Sequence, residues 1–190
     1  MPKCNVCDRP VTFQPYNGRR NERCPVCHAL KRHRDVMQAL RGLDLQKRFA
    51  RGSPALVISI DPYIKWLRQH FDVTVLIKQP HVAGTVYGDI CHPPFKPGSF
   101  RLVIQSHVME HVKNDLRATR MIKRLLKPGG LYVSNVPCGA GPRTIEFGAP
   151  DPAQHGHWRL YGGEDYMKLL TAAGLQNVRQ AAGKTFIAER

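Results

Sequence analysis

Four short, mainly apolar runs are separated by segments with helical spacing, and this alternation restricts the fold more than any other feature. The runs cover residues 55–60, 73–77, 101–105 and 131–136. Runs of this kind are typical of strands buried on both faces of a sheet. Parallel strands need a crossover between them, usually a helix. The sequence therefore predicts an α/β fold with a mostly parallel sheet covered by helices on both faces.

The segments between and after these strands show helical periodicity. The clearest one places apolar residues at positions i, i+3, i+4, i+7 and i+8, namely Ala118, Met121, Ile122, Leu125 and Leu126. Asn114 can cap its start, and the Gly129-Gly130 pair predicts its end. Further helices are predicted at 63–71 and 166–173, followed by short strands at 177–181 and 185–188. A chain of 190 residues has room for one full-sized domain and a small appendage.

Two Cys-x-x-Cys pairs at the N-terminus predict a structural zinc site. Cys4 and Cys7 form the first pair, and Cys24 and Cys27 form the second after sixteen intervening residues. Two short turns at this spacing can bring four thiolates to one tetrahedral ion. The alternatives are two disulfides, which a reducing compartment disfavours, and a redox motif, which would not be needed twice. Four thiolates leave no open coordination position, so the zinc is expected to be structural.

The N-terminal region divides into a zinc ribbon and a linking helix. We predict the ribbon at residues 1–28, a linking helix at 29–52, and the α/β domain at 53–190. Leu30, Met37 and Leu40 share one face of the linking helix. The run Arg51-Gly52-Ser53-Pro54 predicts the boundary that follows.

The charge of the chain favours polyanionic partners. The formal net charge is +15. Residues 1–51 hold twelve Lys/Arg and four Asp/Glu, a net charge of +8. This concentration is typical of a nucleic-acid or other polyanion contact, and the alternative is a basic surface that only maintains solubility. Neither a transmembrane segment nor a signal peptide is recognisable, so we expect no membrane insertion and a cytoplasmic location.

The loops at one edge of the predicted sheet are the candidate ligand site. In sheets of this type ligands bind at the carboxyl ends of the strands, near the point where the strand order reverses. The loops that follow the predicted strands there cover residues 59–63, 77–79, 88–92 and 105–111. Candidate functional residues are therefore sought in these four segments.

Several segments resemble the class I S-adenosylmethionine-dependent methyltransferases, and in particular a subgroup with an N-terminal zinc ribbon. The segments are Gly88-Asp89-Ile90, Glu110-His111-Val112, Leu126-Lys127-Pro128-Gly129-Gly130, His157-x-Arg159-x-Tyr161-Gly162, and Cys24-Pro25-Val26-Cys27 followed by Arg32-His33-Arg34. Their order and spacing cover nearly the whole chain. The resemblance implies a Rossmann-like methyltransferase fold.

The resemblance also implies an S-adenosylmethionine site. By position in the motifs, the implied cofactor-binding residues are Ser59, Asp61, Pro62, Asp89, Ile90 and Ser106. Asp89 stands where family members have the carboxylate that accepts a hydrogen bond from the adenine amino group. The family's glycine loop is replaced by Ser59-Ile60-Asp61-Pro62-Tyr63, and Lys78-Gln79 stands where an acid usually binds the ribose hydroxyls.

Histidines near the same edge are the candidate groups for the acceptor. The implied catalytic residues are His157, His107 and Glu110, and the implied substrate-binding residues are Arg159, Tyr161 and His111. Methyl transfer needs mainly alignment of the acceptor with the methyl group, and it needs a base where the acceptor must lose a proton. The expected function is methyl transfer to a small molecule, a sugar or a nucleic acid. The alternative is a catalytically degenerate fold that binds nucleic acid or protein.

Overall fold

The chain forms one central sheet, two small hairpins and the helices that surround them. The computed structural model describes residues 1–79 and 82–190. The strands are β1 Gln14–Tyr16, β2 Arg19–Arg23, β3 Ser53–Ile58, β4 Phe71–Ile77, β5 Val86–Tyr87, β6 Phe100–Ser106, β7 Leu126–Asn135, β8 Ile145–Asp151, β9 His157–Leu160, β10 Gln176–Gln180 and β11 Thr185–Glu189. The α-helices are α1 Lys31–Arg41, α2 Leu45–Arg48, α3 Ile64–Leu67, α4 Asp115–Leu125 and α5 Gly163–Ala172.

The central sheet has the order β10-β11-β7-β6-β3-β4-β5. The strands from β7 to β5 are parallel, while β11 is antiparallel to β7 and to β10. The strand order reverses beside β3, because the chain runs from β3 outward to β5 and then returns to β6 on the other side. The predicted fold class, a mostly parallel Rossmann-like sheet, is confirmed.

Helices cover both faces of this sheet. Neighbouring strand residues alternate between the faces, so Val57 belongs to the same buried cluster as Met37 of α1, while Leu56 belongs to the cluster of Ile122 in α4 and Tyr166 in α5. Both faces of β3 are therefore apolar. This two-sided burial explains the continuous apolar runs in the sequence.

Two predicted helices are shorter than expected, for identifiable reasons. The segment predicted as a helix at 63–71 forms only the four-residue α3, because β4 begins at Phe71, which pairs with Ser53 of β3. Helix α4 is capped by Asn114, whose side chain accepts a hydrogen bond of 3.0 Å from the Arg117 N–H. It ends at Leu125 rather than at Gly129, since Pro128 disfavours helical backbone in the residue before it.

The segment 149–163, which shows neither helical nor strand periodicity in the sequence, is partly a β-hairpin. Strands β8 and β9 pair in antiparallel fashion, with a register irregularity between Glu146 and Asp151. Gly148 and Gly156 have positive φ values of 74° and 79°. These glycines and the irregular register break the alternation from which sequence patterns identify strands.

The N-terminal region packs on the sheet through α1. The β1–β2 hairpin is separate from the central sheet, whereas α1 contacts β6, β7 and β11. Buried residues of the hairpin region, including Val11 and Cys24, join the same apolar cluster as α1 and the sheet. The boundaries at residues 28 and 52 stay a prediction. Within the described part of the chain, no helix is long and apolar enough to cross a membrane.

Candidate functional site

Four cysteines come together at the N-terminus as the sequence predicts. The sulfur atoms of Cys4, Cys7, Cys24 and Cys27 all lie within 4.8 Å of one another. The Sγ atoms of Cys4 and Cys27 are 3.8 Å apart, and so are those of Cys7 and Cys24. A tetrahedral zinc ion with Zn–S bonds of about 2.3 Å sets its sulfur ligands about 3.8 Å apart. The four side chains therefore fit a structural zinc ion.

Two matching turns hold these cysteines. The N–H of Cys4 donates to the Arg9 carbonyl at 3.0 Å, and the N–H of Cys24 donates to the Ala29 carbonyl at 2.9 Å. Burial would raise the pKa of the Cys24 thiol, but the backbone N–H groups of Cys27 and Val26 lower it to about 7. Burial raises the pKa of the Cys7 and Cys27 thiols, so the shifts differ in direction within the cluster and the fit to zinc rests on the sulfur positions.

Arg34 and His33 connect the zinc ribbon to the loop after β3. The Arg34 guanidinium donates to the carbonyl of Glu22 at 2.7 Å and stacks over the Phe13 ring at 4.0 Å. The Nδ1 atom of the adjacent His33 accepts a hydrogen bond of 3.0 Å from the Leu30 N–H, which places the ring proton on Nε2. That atom lies 3.1 Å from an Asp61 oxygen.

Asp61 is buried and accepts three hydrogen bonds. Besides His33, the hydroxyls of Ser59 and Tyr63 donate to its carboxylate at 2.5 and 2.7 Å. Burial alone would raise the pKa of Asp61, but these donors outweigh it and hold the pKa below its usual value. Asp61 therefore stabilises the loop in which the cofactor contacts of Ser59 and Pro62 are predicted, and a direct cofactor contact by Asp61 stays a prediction.

The loop after β3 adopts the backbone shape of a glycine turn without a glycine. Ser59 has φ of 116°, a value that L residues rarely adopt. Its hydroxyl bonds to Asp61, which compensates part of the strain. Ser59 lies at the end of β3, at the position where the resemblance places the family's glycine loop.

The strand register brings the candidate loops to one edge of the sheet. Ile58 of β3 pairs with Leu76 of β4 and with Gln105 of β6, and Ile77 pairs with Tyr87 of β5. The residues after these strands therefore lie side by side. Lys78 and Gln79 are exposed beyond β4, and the sequence has no acid next to them.

Asp89 lies just beyond β5 on this edge. Its side chain is exposed, and one oxygen accepts a hydrogen bond of 2.8 Å from the Cys91 N–H. The exposed carboxylate is accessible to a ligand, while the adjacent Ile90 is buried. Gly88 allows the Pro94 ring to approach closely, since a Cβ at Gly88 would lie 2.8 Å from the Pro94 Cδ.

The loop after β6 carries polar side chains that lack partners. Ser106 is buried, and its hydroxyl has no hydrogen-bond partner among the described residues. His107 has a positive φ of 56°. Glu110 is fully buried, and neither of its carboxylate oxygens makes a hydrogen bond in the described part of the chain. The His107 Nδ1 lies 3.2 Å from Glu110 Oε1 without the direction of a hydrogen bond.

His157 of β9 joins this loop from 47 residues away in sequence. Glu110, His111 and His157 each have one possible metal-ligand atom within 4.8 Å of the other two. The rings of His111 and His157 meet edge to face with centroids 4.8 Å apart. Burial lowers the pKa of His157, helped by the neighbouring histidines and opposed by Glu110. The structure thus assembles the three predicted catalytic residues, His157, His107 and Glu110, with His111.

Arg159 and Tyr161 hold the β8–β9 hairpin in place. The Arg159 guanidinium donates to Glu146 at 2.7 Å and to the carbonyls of Val112 and Lys113 at 2.6 and 2.9 Å. The buried Tyr161 hydroxyl donates to Asp115 at 2.8 Å. Burial and the Asp115 charge raise the pKa of Tyr161. Their predicted contact with a substrate would require exchange of these bonds, and it stays a prediction.

Sequence reasoning missed the partners that position these residues. His33 belongs to the Arg32-His33-Arg34 motif, but no sequence pattern pairs it with Asp61, and none marks Asp115 or Glu146 as partners. A buried arginine or a buried carboxylate implies a partner, but the sequence does not say which of the distant polar residues supplies it.

The chain matches a family model described as a methyltransferase domain over residues 30–180. No curated protein sequence matches it. Many solved structures share the fold. One, described as a sarcosine dimethylglycine methyltransferase from Galdieria sulphuraria, is 16% identical with a TM-score of 0.58, and the match covers 77% of this chain and 61% of that one. The chain thus spans about three fifths of that protein.

Two further structures show the same similarity. A SAM-dependent methyltransferase from Aquifex aeolicus is 13% identical with a TM-score of 0.58, covering 81% of this chain and 87% of that one. A phosphoethanolamine N-methyltransferase from Haemonchus contortus, solved with S-adenosyl-L-methionine, is 20% identical with a TM-score of 0.52, covering 74% and 37%. The chain therefore belongs to the methyltransferase domain family and has the fold of class I S-adenosylmethionine-dependent methyltransferases, with a four-cysteine cluster that fits zinc near its N-terminus.

Proposed function

We propose that the chain transfers a methyl group from S-adenosylmethionine to an acceptor at the carboxyl edge of the sheet. The observation that carries this proposal is the arrangement of that edge, where the loop after β5 presents Asp89 and the loop after β6 presents His107 and Glu110. Ligands bind at this edge in parallel α/β sheets. The family match supports the reaction type.

Asp89 is the proposed contact for the adenine amino group. Its exposed carboxylate can accept a hydrogen bond from that group. Ile90 would pack against the ring, and the backbone at Ser59 and Pro62 together with the Ser106 hydroxyl would approach the methionine part. Asp61 would contribute mainly by holding the Ser59 loop through its three bonds.

The groups for the acceptor are the side chains gathered around Glu110. When bound, the cofactor supplies an electrophilic methyl group, so the protein has mainly to align the acceptor and exclude water. His157 and His107 can take a proton from a hydroxyl acceptor, and Glu110 can stabilise the resulting imidazolium. Arg159 and Tyr161 would position the hairpin that carries His157.

The exposed Lys78-Gln79 pair has a consequence for affinity. A carboxylate accepts hydrogen bonds from both ribose hydroxyls, whereas lysine can only donate and glutamine makes a neutral bond. The chain is therefore expected to bind S-adenosylmethionine more weakly than family members that have the acid. Lys78→Asp should tighten binding.

Calorimetric titration with S-adenosylmethionine tests the proposal. The wild-type chain should bind one equivalent, Asp89→Ala should lose most of the affinity, and Lys78→Asp should gain it. Asp72→Ala removes an exposed carboxylate from β4 and serves as the control that should bind normally. An Asp89→Ala variant that loses nothing, together with a Lys78→Asp variant that gains nothing, would reject this cofactor site.

A second function is kept because of the saturated Asp61 and the absent ribose acid. A degenerate methyltransferase fold that binds nucleic acid or protein would need neither a free Asp61 carboxylate nor an acid for the ribose. Absence of S-adenosylmethionine binding by the wild-type chain would favour this alternative.

We also propose a polyanionic partner or acceptor, such as a nucleic acid. A groove of about 810 Å³ beside the amino ends of β3 and β4 is lined by basic and aromatic side chains, among them Arg41, Lys47, Arg51, Trp66 and His70. Binding to RNA or DNA should fall steeply with salt. Lys47→Glu combined with Arg51→Glu should weaken it, whereas Lys168→Glu on α5 should not. Binding that does not depend on salt, or no binding to RNA or DNA, would mean that the basic surface only maintains solubility.

The proposed location is the cytoplasm. None of the six cysteines forms a disulfide in the structure, and four of them fit a zinc ion, which suits a reducing compartment. Fractionation of cells that express the chain tests this proposal.

A further inference from the structure

Glu110 is a buried carboxylate that accepts no hydrogen bond in the described part of the chain. It has 0% exposure, and both oxygens lack hydrogen-bond partners among the described residues. Burying such a group without compensation is costly. Asp61, buried at the same edge, receives three donors, so the fold is able to satisfy a carboxylate there. Among the described residues, His107 is the ionisable group paired with Glu110, with its Nδ1 3.2 Å from Oε1, and it makes no hydrogen bond there. Both carboxylate oxygens therefore stay open to a positive partner from outside the chain.

The two imidazoles beside Glu110 offer lone pairs. The His157 Nδ1 is buried and has no partner in the described part of the chain. The Nδ1 of His111 faces the Gly156 carbonyl at 3.4 Å, an arrangement that places the ring proton on Nδ1 and leaves Nε2 with a free lone pair. Such a backbone contact is the usual support of a metal-ligating histidine.

We propose that Glu110, His111 and His157 bind a divalent transition-metal ion, separate from the ion of the four cysteines. One donor atom of each residue lies within 4.8 Å of the others. An ion with bonds of about 2.1 Å sets its ligands about 3.0 to 3.4 Å apart. Small rotations of the exposed His111 and half-buried His157 side chains close the difference.

The ligand chemistry selects the class of ion. Imidazole nitrogens with one carboxylate suit zinc, iron and related transition metals, whereas calcium and magnesium prefer oxygen ligands only. Three protein ligands leave at least one coordination position open. The open position would take water or an oxygen atom of a ligand, in contrast to the closed four-thiolate cluster.

The second site is connected to the hairpin that covers it. The short helix Met109–His111 contacts β9, and Arg159 anchors β9 to the carbonyls of Val112 and Lys113. Glu110 and His111 are thus held against His157 by bonds that do not involve the ion. The ligands are brought together by the fold itself, and the metal site does not depend on the proposed methyl transfer.

Metal content and cobalt binding test the proposal. Tag-free wild-type protein, dialysed against Zn²⁺ and then freed of loosely bound ion, should hold two equivalents by elemental analysis. Glu110→Gln and His157→Ala should each hold one. Cys24→Ser should also hold one, and with Co²⁺ it should lose the intense thiolate absorption while keeping the weaker bands of a nitrogen and oxygen site.

Matched variants separate the site from general surface binding. His155→Ala removes a neighbouring exposed histidine and Glu164→Gln removes an exposed carboxylate, and both should keep two equivalents. His111→Ala alters an exposed ligand and provides the same test if the buried variants do not fold. One equivalent in the wild type, or two equivalents retained in both Glu110→Gln and His111→Ala, would overturn the proposal whether or not S-adenosylmethionine binds.

Discussion

Two buried carboxylates at the same edge of the sheet differ in the hydrogen bonds that they accept. Asp61, after β3, accepts hydrogen bonds from His33, Ser59 and Tyr63. Glu110, after β6, accepts none within the described chain. Both are almost inaccessible, with 8% and 0% exposure. The difference therefore lies in their donors and not in their burial.

This contrast separates a stabilising residue from a candidate functional one. A buried carboxylate with several donors stabilises the fold and fixes the conformation of its loop. A buried carboxylate without donors destabilises the protein, and such exceptions concentrate at sites that bind something. Asp61 links the loop after β3 to the zinc ribbon through His33, while Glu110 is buried between the β8–β9 hairpin and the loop after β6 without a hydrogen bond.

The largest expected effect comes from the ribbon that supports Asp61. Cys24→Ser should lose the structural zinc and unfold about the first thirty residues, because metal binding and local folding are coupled. Loss of the ribbon frees Arg34 and hence His33, so the loop at Asp61 should also gain amide exchange. Elemental analysis and hydrogen exchange measure both effects.

In the same variant, the segment around Glu110 serves as an internal control. Amides of the segment Met109–His111 should keep their protection. A Cys24→Ser protein that retains a full equivalent at the cysteine cluster, with protected amides between residues 4 and 29, would contradict the coupling.

Neutralising the two carboxylates should have unequal effects on stability. Asp61→Asn replaces an ionised acceptor of three hydrogen bonds and should lower the free energy of unfolding by about 3 kcal/mol. Glu110→Gln, in protein carrying zinc only at the cysteines, should raise it, because no hydrogen bond is lost and an uncompensated buried charge is removed. Urea unfolding measures both values. Equal losses would mean that Glu110 has donors that the described contacts do not include.

The pH dependence of stability should follow Asp61. The pKa of Asp61 is lowered in the folded chain, so the stabilisation is fully present above the unfolded value of about 3.9 and is lost as the pH falls through the folded value. The difference in unfolding free energy between wild type and Asp61→Asn should therefore be constant from pH 7 to about pH 5 and shrink below about pH 4. Loss of zinc at low pH lowers the stability of both proteins, so its contribution cancels in the difference between them. A difference that grows on acidification would have the wrong sign.

The smallest effect is expected at a third, exposed carboxylate. Glu146 accepts from Arg159, but its side chain is 58% exposed. Glu146→Gln should change stability by less than about 1 kcal/mol, since exposed ion pairs contribute little and the carbonyls of Val112 and Lys113 still hold Arg159. Thermal unfolding of Glu146→Gln and Arg159→Ala provides the measurement. Arg159→Ala removes all three hydrogen bonds and should lose more stability. A Glu146→Gln loss as large as that of Arg159→Ala would show that the hairpin depends on the surface pair.

Local patterns were sufficient for most of the fold and for the cysteine cluster. Apolar runs identify strands buried on two faces, the periodicity of Ala118 and Ile122 identifies α4, and paired turns identify the four cysteines, since each signal depends on near neighbours. The β8–β9 hairpin was missed because glycines and an irregular register remove its alternation. The early end of α4 depended on Pro128, whose effect competes with the helical pattern before it.

The sequence by itself determined which side chains are available at the carboxyl edge, because strand order and motif position place Asp61, Asp89 and Glu110 in its loops. Only the tertiary structure decided which of them are satisfied. Asp61 receives its His33 partner from 28 residues away, and Glu110 meets His157 from 47 residues away. Hydrogen bonding and metal ligation depend on distances of a few ångströms between groups that folding brings together, and the composition of a loop does not contain those distances.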